Sequence, residues 1–365
     1  MVSQQFGHGV RYFLLILSRS SSGLRRQNHI GLGDRGSNPL WEVSFRFVVL
    51  NKSYMEFFML PRRPPRSGQV GFLYLPPYRV QGISVAGEQT AVHIPELDVA
   101  FDVGLCPRPI LSAPYIALTH GHMDHVAGLP YYFSQRMFQK MGVGTCVCHA
   151  EIAGAVQSMM GGWVDLERQC TPHNIVPLEP DEEFQIKPGI MLRGIEASHT
   201  VPALSYVIME HRKKLLEKYS GFPQEKLRAL KLAGNDITQT FKIPLVACTG
   251  DTEMGNHLFR PEFVNSPIVI TECTFFESDH KKRSAVGKHI HIDDLVELVN
   301  VWKAEHIIIT HTSRRTGIEV IKNTIANKIG GDNAHRIHLL MDHRENRLRY
   351  ERQVEEHEAA SVGGE

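Results

Sequence analysis

The stretch Thr119-His120-Gly121-His122-Met123-Asp124-His125 limits what this chain can be more than any other part of it. Three histidines and one aspartate are crowded into a few residues. They follow the apolar run Tyr115–Leu118, so they stand in a loop that leaves a strand. Packing gives no reason for such a cluster. Imidazole and carboxylate suit Zn²⁺, Mn²⁺ or iron, and H-x-H-x-D-H spacing in a tight loop can direct alternate side chains to two neighbouring positions.

Around this motif the texture is that of an α/β protein. Short β-like runs at Val80–Val85, Val99–Val103, Tyr115–Thr119, Leu245–Thr249, Ile268–Thr271 and Ile307–Thr310 alternate with turn residues. Helices are expected over Glu151–Met160, His211–Leu232 and Ile292–Lys303. Several other metal-type residues stand where a strand-like run ends, which is where α/β proteins build their sites. No internal repeat is visible.

Composition sets wider bounds. A chain of 365 residues with 42% hydrophobic content can bury a large core, and its net charge of +1 gives no bulk attraction to nucleic acid, so any basic surface is local. The six cysteines form no C-x-x-C pair, and the lone C-x-C at Cys146 and Cys148 has no second half. They read as reduced, buried thiols of an intracellular protein. No apolar run approaches the ~18 residues of a membrane span. Residues 1–67 carry ten Lys/Arg against three acidic residues. They read as a chloroplast or mitochondrial transit peptide, a disordered tail, or sequence upstream of a start at Met55; without a transit peptide the protein is expected in cytoplasm or nucleus. A catalytic domain is expected over 68–345, followed by a charged helical tail over 346–365.

The first motif resembles the metallo-β-lactamase superfamily. That resemblance implies an αββα sandwich, two mixed sheets flanked by helices, with further ligands downstream in a set order. Matching residues are His199 in Glu196-Ala197-Ser198-His199, Asp251 in Thr249-Gly250-Asp251-Thr252, and His311 in Ile308-Ile309-Thr310-His311. By resemblance, His120, His122 and His199 hold one divalent ion, Asp124, His125 and His311 hold a second, and Asp251 bridges them. Zinc is the expected metal, with manganese and iron accepted by the same ligands. Between two such ions a water has its pKa lowered towards ~7. Asp102 matches a family aspartate that buttresses the ligand loop, or is a strand-end turn residue.

Within the superfamily the chain is similar to ribonuclease Z over roughly Gly68 to Thr316. The resemblance rests on His125-Val126-Ala127-Gly128-Leu129-Pro130, on His199-Thr200-Val201-Pro202 with Tyr206, on Glu272-Cys273-Thr274-Phe275, and on His289. It implies phosphodiester hydrolysis, in which Asp124 orients the nucleophile and His289, held by Glu272, protonates the leaving oxygen. The alternative to this role is that His289 is a metal-independent surface histidine. The substrate expected is RNA, such as a tRNA 3′ precursor, or a small phosphodiester; relatives often form homodimers. Departures stand at Met123, at Val103-Gly104-Leu105-Cys106, at Thr271 and at His289-Ile290-His291. The family's long tRNA-gripping arm maps to Met209–Lys242, which reads as compact and helical, with eight Lys/Arg against four acids. Those cations contact phosphates or form an ordinary solvated face. Two other functions stay open: hydrolysis of a small ester such as a cyclic nucleotide, aryl sulfate or lactone, and a non-catalytic role.

Overall fold

The computed structural model describes residues 70–362, so the leader expected over 1–67 lies outside the described residues. One compact unit is Pro61–Glu355; of the other, Met1–Leu60 with Glu356–Glu365, only the last helical turns are described.

Fourteen strands among the described residues make two sheets, each laid down in sequence order. The first holds β1 (Gly71–Leu75), β2 (Tyr78–Val85), β3 (Gln89–Ile94), β4 (Val99–Phe101), β5 (Tyr115–Ala117), β6 (Thr145–His149) and β7 (Asn174–Leu178). The second holds β8 (Glu183–Lys187), β9 (Ile190–Ala197), β10 (Ala203–Leu215), β11 (Thr238–Cys248), β12 (Ile268–Glu272), β13 (His306–Thr310) and β14 (Ile337–Leu339). Both follow one plan. Antiparallel pairing runs from β1 to β4 and from β8 to β11. Parallel pairing runs from β4 to β7 and from β11 to β14. Parallel neighbours need crossovers, and these carry the main helices: Leu129–Phe138, Ala150–Glu167, Ile292–Val301 and Ile318–Lys328.

Side-chain alternation explains the layers. Ile268, Ile270 and Ile308 face the first sheet and pack with Phe101, Ala117, Val147 and Tyr206. Val269, Ile307 and Ile309 face outward onto Leu295, Leu298 and Trp302. On the other side Ile116, Leu118 and Cys146 meet Leu129, Tyr132 and Phe133. Each buried isoleucine or leucine contributes about 1.5–3 kcal/mol before entropy is counted. The result is the expected αββα sandwich. Tyr206 ties its sheets together: its hydroxyl lies 2.8 Å from the Leu118 carbonyl and 3.2 Å from that of Val147.

Two expectations need correction. His211–Leu232 is not one helix. His211 to Leu215 continue β10 and pair with β11 out to Leu215↔Thr238, beyond the last β9 pairing at Glu210↔Ile190. Gly221 takes a φ of +81° and Pro223 caps a shorter helix, Gln224–Leu232. The segment is therefore a two-stranded ribbon with a helical tip, extending past its sheet. The cysteines are all free, as read, but Cys170 is exposed while the other five are buried.

Candidate metal centre

The loops after β4, β5, β9, β11, β12 and β13 converge at one rim of the sandwich. Tight backbone geometry brings their side chains in. Asp102 and His311 adopt left-handed conformations, with φ of 61° and 54°. Gly250, beside Asp251, has a φ of +60°, and a Cβ there would stand 2.8 Å from the Cβ of Thr119. The short helix Met123–Val126 starts directly after His122 and turns Asp124 and His125 inward.

Two groups of donors meet. In the first, His122 Nδ1 lies 3.0 Å from His120 Nε2 and 3.3 Å from His199 Nε2. In the second, His311 Nε2 lies 3.5 Å from Asp124 Oδ2, and His125 Nε2 lies 3.7 Å from the same oxygen. Asp251 Oδ2 stands between the groups, 3.2 Å from His311 Nε2, 3.3 Å from His125 Nε2 and 3.9 Å from His120 Nε2. Nitrogens bonded to one tetrahedral zinc at ~2.0–2.1 Å sit ~3.3 Å apart, so the spacings fit shared coordination. His125 Nε2 is also buried with no hydrogen-bond partner, although its ring is fixed from the other side. An orphaned imidazole nitrogen facing a carboxylate is what a ligand atom looks like.

The ring orientations are set from behind. His125 Nδ1 donates to Asp102 Oδ2 at 2.7 Å, and Asp102 Oδ1 accepts from the Thr119 amide at 2.7 Å. The Thr274 hydroxyl donates to Glu272 Oε2 at 2.6 Å, so its oxygen accepts from His311 Nδ1 at 2.9 Å. His199 Nδ1 donates to the Lys288 carbonyl at 3.2 Å. Each arrangement leaves Nε2 with its lone pair towards the centre. The Gly87 amide, at the β2–β3 turn, donates to Asp124 Oδ2 at 2.9 Å, and the Ser84 hydroxyl accepts from the His311 amide at 2.8 Å.

Electrostatics agree with a cation site. Burial pushes His120 well below the ordinary imidazole range and lowers His122 and His199, keeping all three as neutral donors. Burial also opposes charge on Asp251, but His311 and His125 hold it well below the usual carboxylate range. At His125 burial is overcome by Asp251 and Asp102, which raise it well above the ordinary value. Carboxylates thus draw positive charge into the middle of the cluster.

Every singled-out residue falls here. His289 Nδ1 lies 2.9 Å from Glu272 Oε1, and the His289 ring stacks on His311 with centroids 5.2 Å apart. Glu272 is almost wholly buried and also accepts from the Thr252 amide at 2.8 Å. Burial works against charge on His289, but Glu272 raises its pKa to about 9. His291 points away: it caps the helix Ile292–Val301 and bonds the Glu277 carbonyl at 3.0 Å. Sequence reasoning missed the supporting roles of Ser84, Gly87, Thr119, Thr274 and Lys288. The two threonines lie inside the motifs and could have been found by asking what orients each imidazole; Ser84 and Gly87 carry no local signal.

Two mixed seven-stranded sheets, helices outside, and a histidine–aspartate cluster at one rim define a hydrolase of the metallo-β-lactamase fold. A family model described as a beta-lactamase superfamily domain matches residues 107–221. A tRNase Z of Arabidopsis thaliana is 29% identical over 252 residues, covering 68% of this chain and 90% of that protein. A chloroplastic tRNase Z of the same plant is 30% identical over 260 residues, covering 68% of this chain and 71% of the relative. Among solved structures, the short form of human tRNase Z aligns with a TM-score of 0.47 at 14% identity, over 67% of this chain and 93% of that one. The chain belongs to the ribonuclease Z family and is a ribonuclease Z-like, metal-dependent hydrolase. Among the described residues no helix is long and apolar enough to cross a membrane.

Proposed function

We propose that the protein is an endoribonuclease that cleaves a phosphodiester of RNA, with tRNA 3′ precursors as substrate, at a centre of two zinc ions. His120, His122 and His199 would hold one ion, Asp124, His125 and His311 the other, and Asp251 both. Two such ions supply Lewis-acid stabilisation of a phosphate and activation of water.

The chain's own groups do the rest. Asp124, fixed by the Gly87 amide, orients the attacking water. His289 supplies the proton that the departing ribose oxygen needs. Glu272 keeps that imidazole charged and aligned, and its own oxygens are saturated by His289, Thr252 and Thr274. The observation that carries the phosphodiester reading is this 2.9 Å Glu272–His289 pair beside the Asp251–His311 cluster. A substrate larger than a small ester is supported by the β10–β11 ribbon. Arg212 is engaged by Glu210 at 2.6 Å and Lys242 by Glu183 at 2.8 Å, whereas Lys213 and Lys214 are exposed. Free lysines on an extension can position a nucleic-acid backbone without reading its bases.

The full chain, assayed on a precursor tRNA beside bis-p-nitrophenyl phosphate, should process the RNA, and His289→Ala should lower turnover about 10²–10⁴-fold with metal content retained. Hydrolysis of the small diester without tRNA processing overturns the substrate. Loss of metal in His289→Ala overturns the proton-donor role.

A further inference from the structure

At the β14 edge of the second sheet, a cavity of ≈ 400 Å³ lies between β14, the helix Ile318–Lys328 and residues 345–352 of the last helix. His338 on β14 marks its place: its Nε2 lies 3.2 Å from Nδ1 of His306, the first residue of β13. The metal-centre residue His311 follows the other end of β13. Five residues of strand separate these two histidines, ~16 Å at ~3.3 Å per residue, and the residues that line the cavity include none of the metal centre.

The charges around the cavity do not cancel. Its carboxylates are already engaged: Asp342 Oδ2 takes Lys322 Nζ at 3.3 Å, and Glu345 Oε1 takes Arg352 Nη2 at 3.3 Å. Glu345 also favours charge on Arg349, but it leaves the Nε of that arginine unsatisfied. That Nε is buried and has no hydrogen-bond partner, and burial, then the neighbouring Arg352, lowers the arginine's pKa. Arg336, near the same edge, shows what a settled arginine looks like here. It donates to the carbonyls of Val299, Trp302 and Ala304 at 2.7–3.0 Å and to Asn333 Oδ1 at 2.6 Å. A half-buried guanidinium whose Nε has no partner forfeits hydration at that atom and gains nothing in exchange. An oxyanion would satisfy it, and the planar fork fits phosphate two bonds at a time. Ile325, Ile337 and Leu339 give the same cavity an apolar lining. Its volume lies within the ~300–1,000 Å³ of small-ligand pockets.

We propose that this cavity binds a small phosphomonoester of nucleoside-monophosphate size, its phosphate on Arg349 and its ring against Ile325, Ile337 and Leu339. The test is a titration of the full chain, as purified, with adenosine 5′-monophosphate and with inorganic phosphate. Imidazole resonances of His335 and His338 are followed by NMR, which separates this cavity from the metal centre. Both resonances should shift saturably, with the nucleotide binding more tightly than phosphate. Arg349→Gln should weaken binding about tenfold or more, equivalent to 1.4 kcal/mol, with RNA cleavage unchanged. Ala326→Trp, which fills the cavity from an exposed position on its wall, should abolish the shifts while leaving the fold intact. Resonances that do not move, or that move equally in both variants, overturn the site; phosphate binding more tightly than the nucleotide overturns the ligand class.

Discussion

In the first half of the chain the metal-type residues arrive together, four of them in the single loop after β5. In the second half they come one at a time: His199 after β9, Asp251 after β11, His311 after β13. The strand plan of the two halves is the same, so equivalent positions can be compared directly. After β4 stands Asp102 and after β11 stands Asp251. The first holds His125 from behind at 2.7 Å; the second faces His120, His125 and His311 from within. β6 ends on His149, and directly after β13 stands His311. His149 caps the helix Ala150–Glu167 by accepting from the Glu151 amide, and its Nε2 lies 3.3 Å from Glu196, outside the donor cluster. One scaffold therefore supports two divisions of labour. The first half concentrates donors and spends its other strand ends on support. The second distributes single groups, each placed by its own strand.

The comparison breaks first at Asp251. If it alone serves both donor groups, Asp251→Ala should lower kcat/KM by about 10³-fold or more, roughly 4 kcal/mol, and metal analysis should show ions lost from both groups. His122→Ala should empty only the first. Full metal content in Asp251→Ala would show that the second half has no shared residue.

The equivalent position in the first half should matter less. Asp102→Asn keeps the side-chain shape but can no longer demand a proton from His125 Nδ1, so the ring loses its fixed orientation. A loss of about 10–100-fold in metal affinity or activity is expected, read by competition with a chelator. Equal losses for Asp102→Asn and Asp251→Asn would erase the distinction between holding a donor and being one.

The same division explains what could be read from the chain in advance. His120 to His125 are legible because contiguous donors in a post-strand loop have no packing explanation. His199, Asp251 and His311 are unremarkable singly and become legible only through the superfamily resemblance, which implies ligands in that order after apolar runs. Buried runs such as Ile307–Ile309 give only an α/β texture; the αββα layering comes from the superfamily resemblance. The ribbon was misread because Lys213, Lys214 and their neighbours are good helix formers; β10–β11 pairing across a 22-residue interval from Leu215 to Thr238 overrides local propensity. Ser84 and Gly87 were invisible for a related reason. Their partners, His311 and Asp124, lie far along the chain, and a backbone amide has no residue signature.

Away from the centre each half also buries histidines that acid should expose. Burial, then Arg79, lowers His93 on β3 to about 4; burial, then Arg349, lowers His306 to about 4 and His338 to about 3. Above the unfolded value of 6.5 both states are neutral and these residues leave stability independent of pH. As pH falls below 6.5 the unfolded chain takes up protons that the folded chain refuses, so stability drops until the folded value near 4, or near 3 for His338, is reached. By ~pH 5 the loss is about 2 kcal/mol per histidine. Urea unfolding across that range should show it, and His93→Asn should flatten the acid limb by about that amount. An unchanged slope would mean His93 is solvated.

The smallest effects separate two glycines with the same backbone requirement. Gly87 and Gly250 both have positive φ, +70° and +60°, and each stands beside the centre. Around Gly87 an added Cβ meets nothing within 4 Å, and alanine keeps the amide that Asp124 needs. Gly87→Ala should therefore cost about 1 kcal/mol of left-handed strain and leave activity near normal. At Gly250 the same strain is joined by a 2.8 Å contact with the Cβ of Thr119, whose hydroxyl and amide hold Asp102. Gly250→Ala should cost about 2 kcal/mol in thermal or urea unfolding, and lower metal affinity as well, because the displaced threonine is what positions the first half's donors. Equal costs at the two sites would mean that Thr119 can move freely, and that the loop after β11 does not brace the loop after β5.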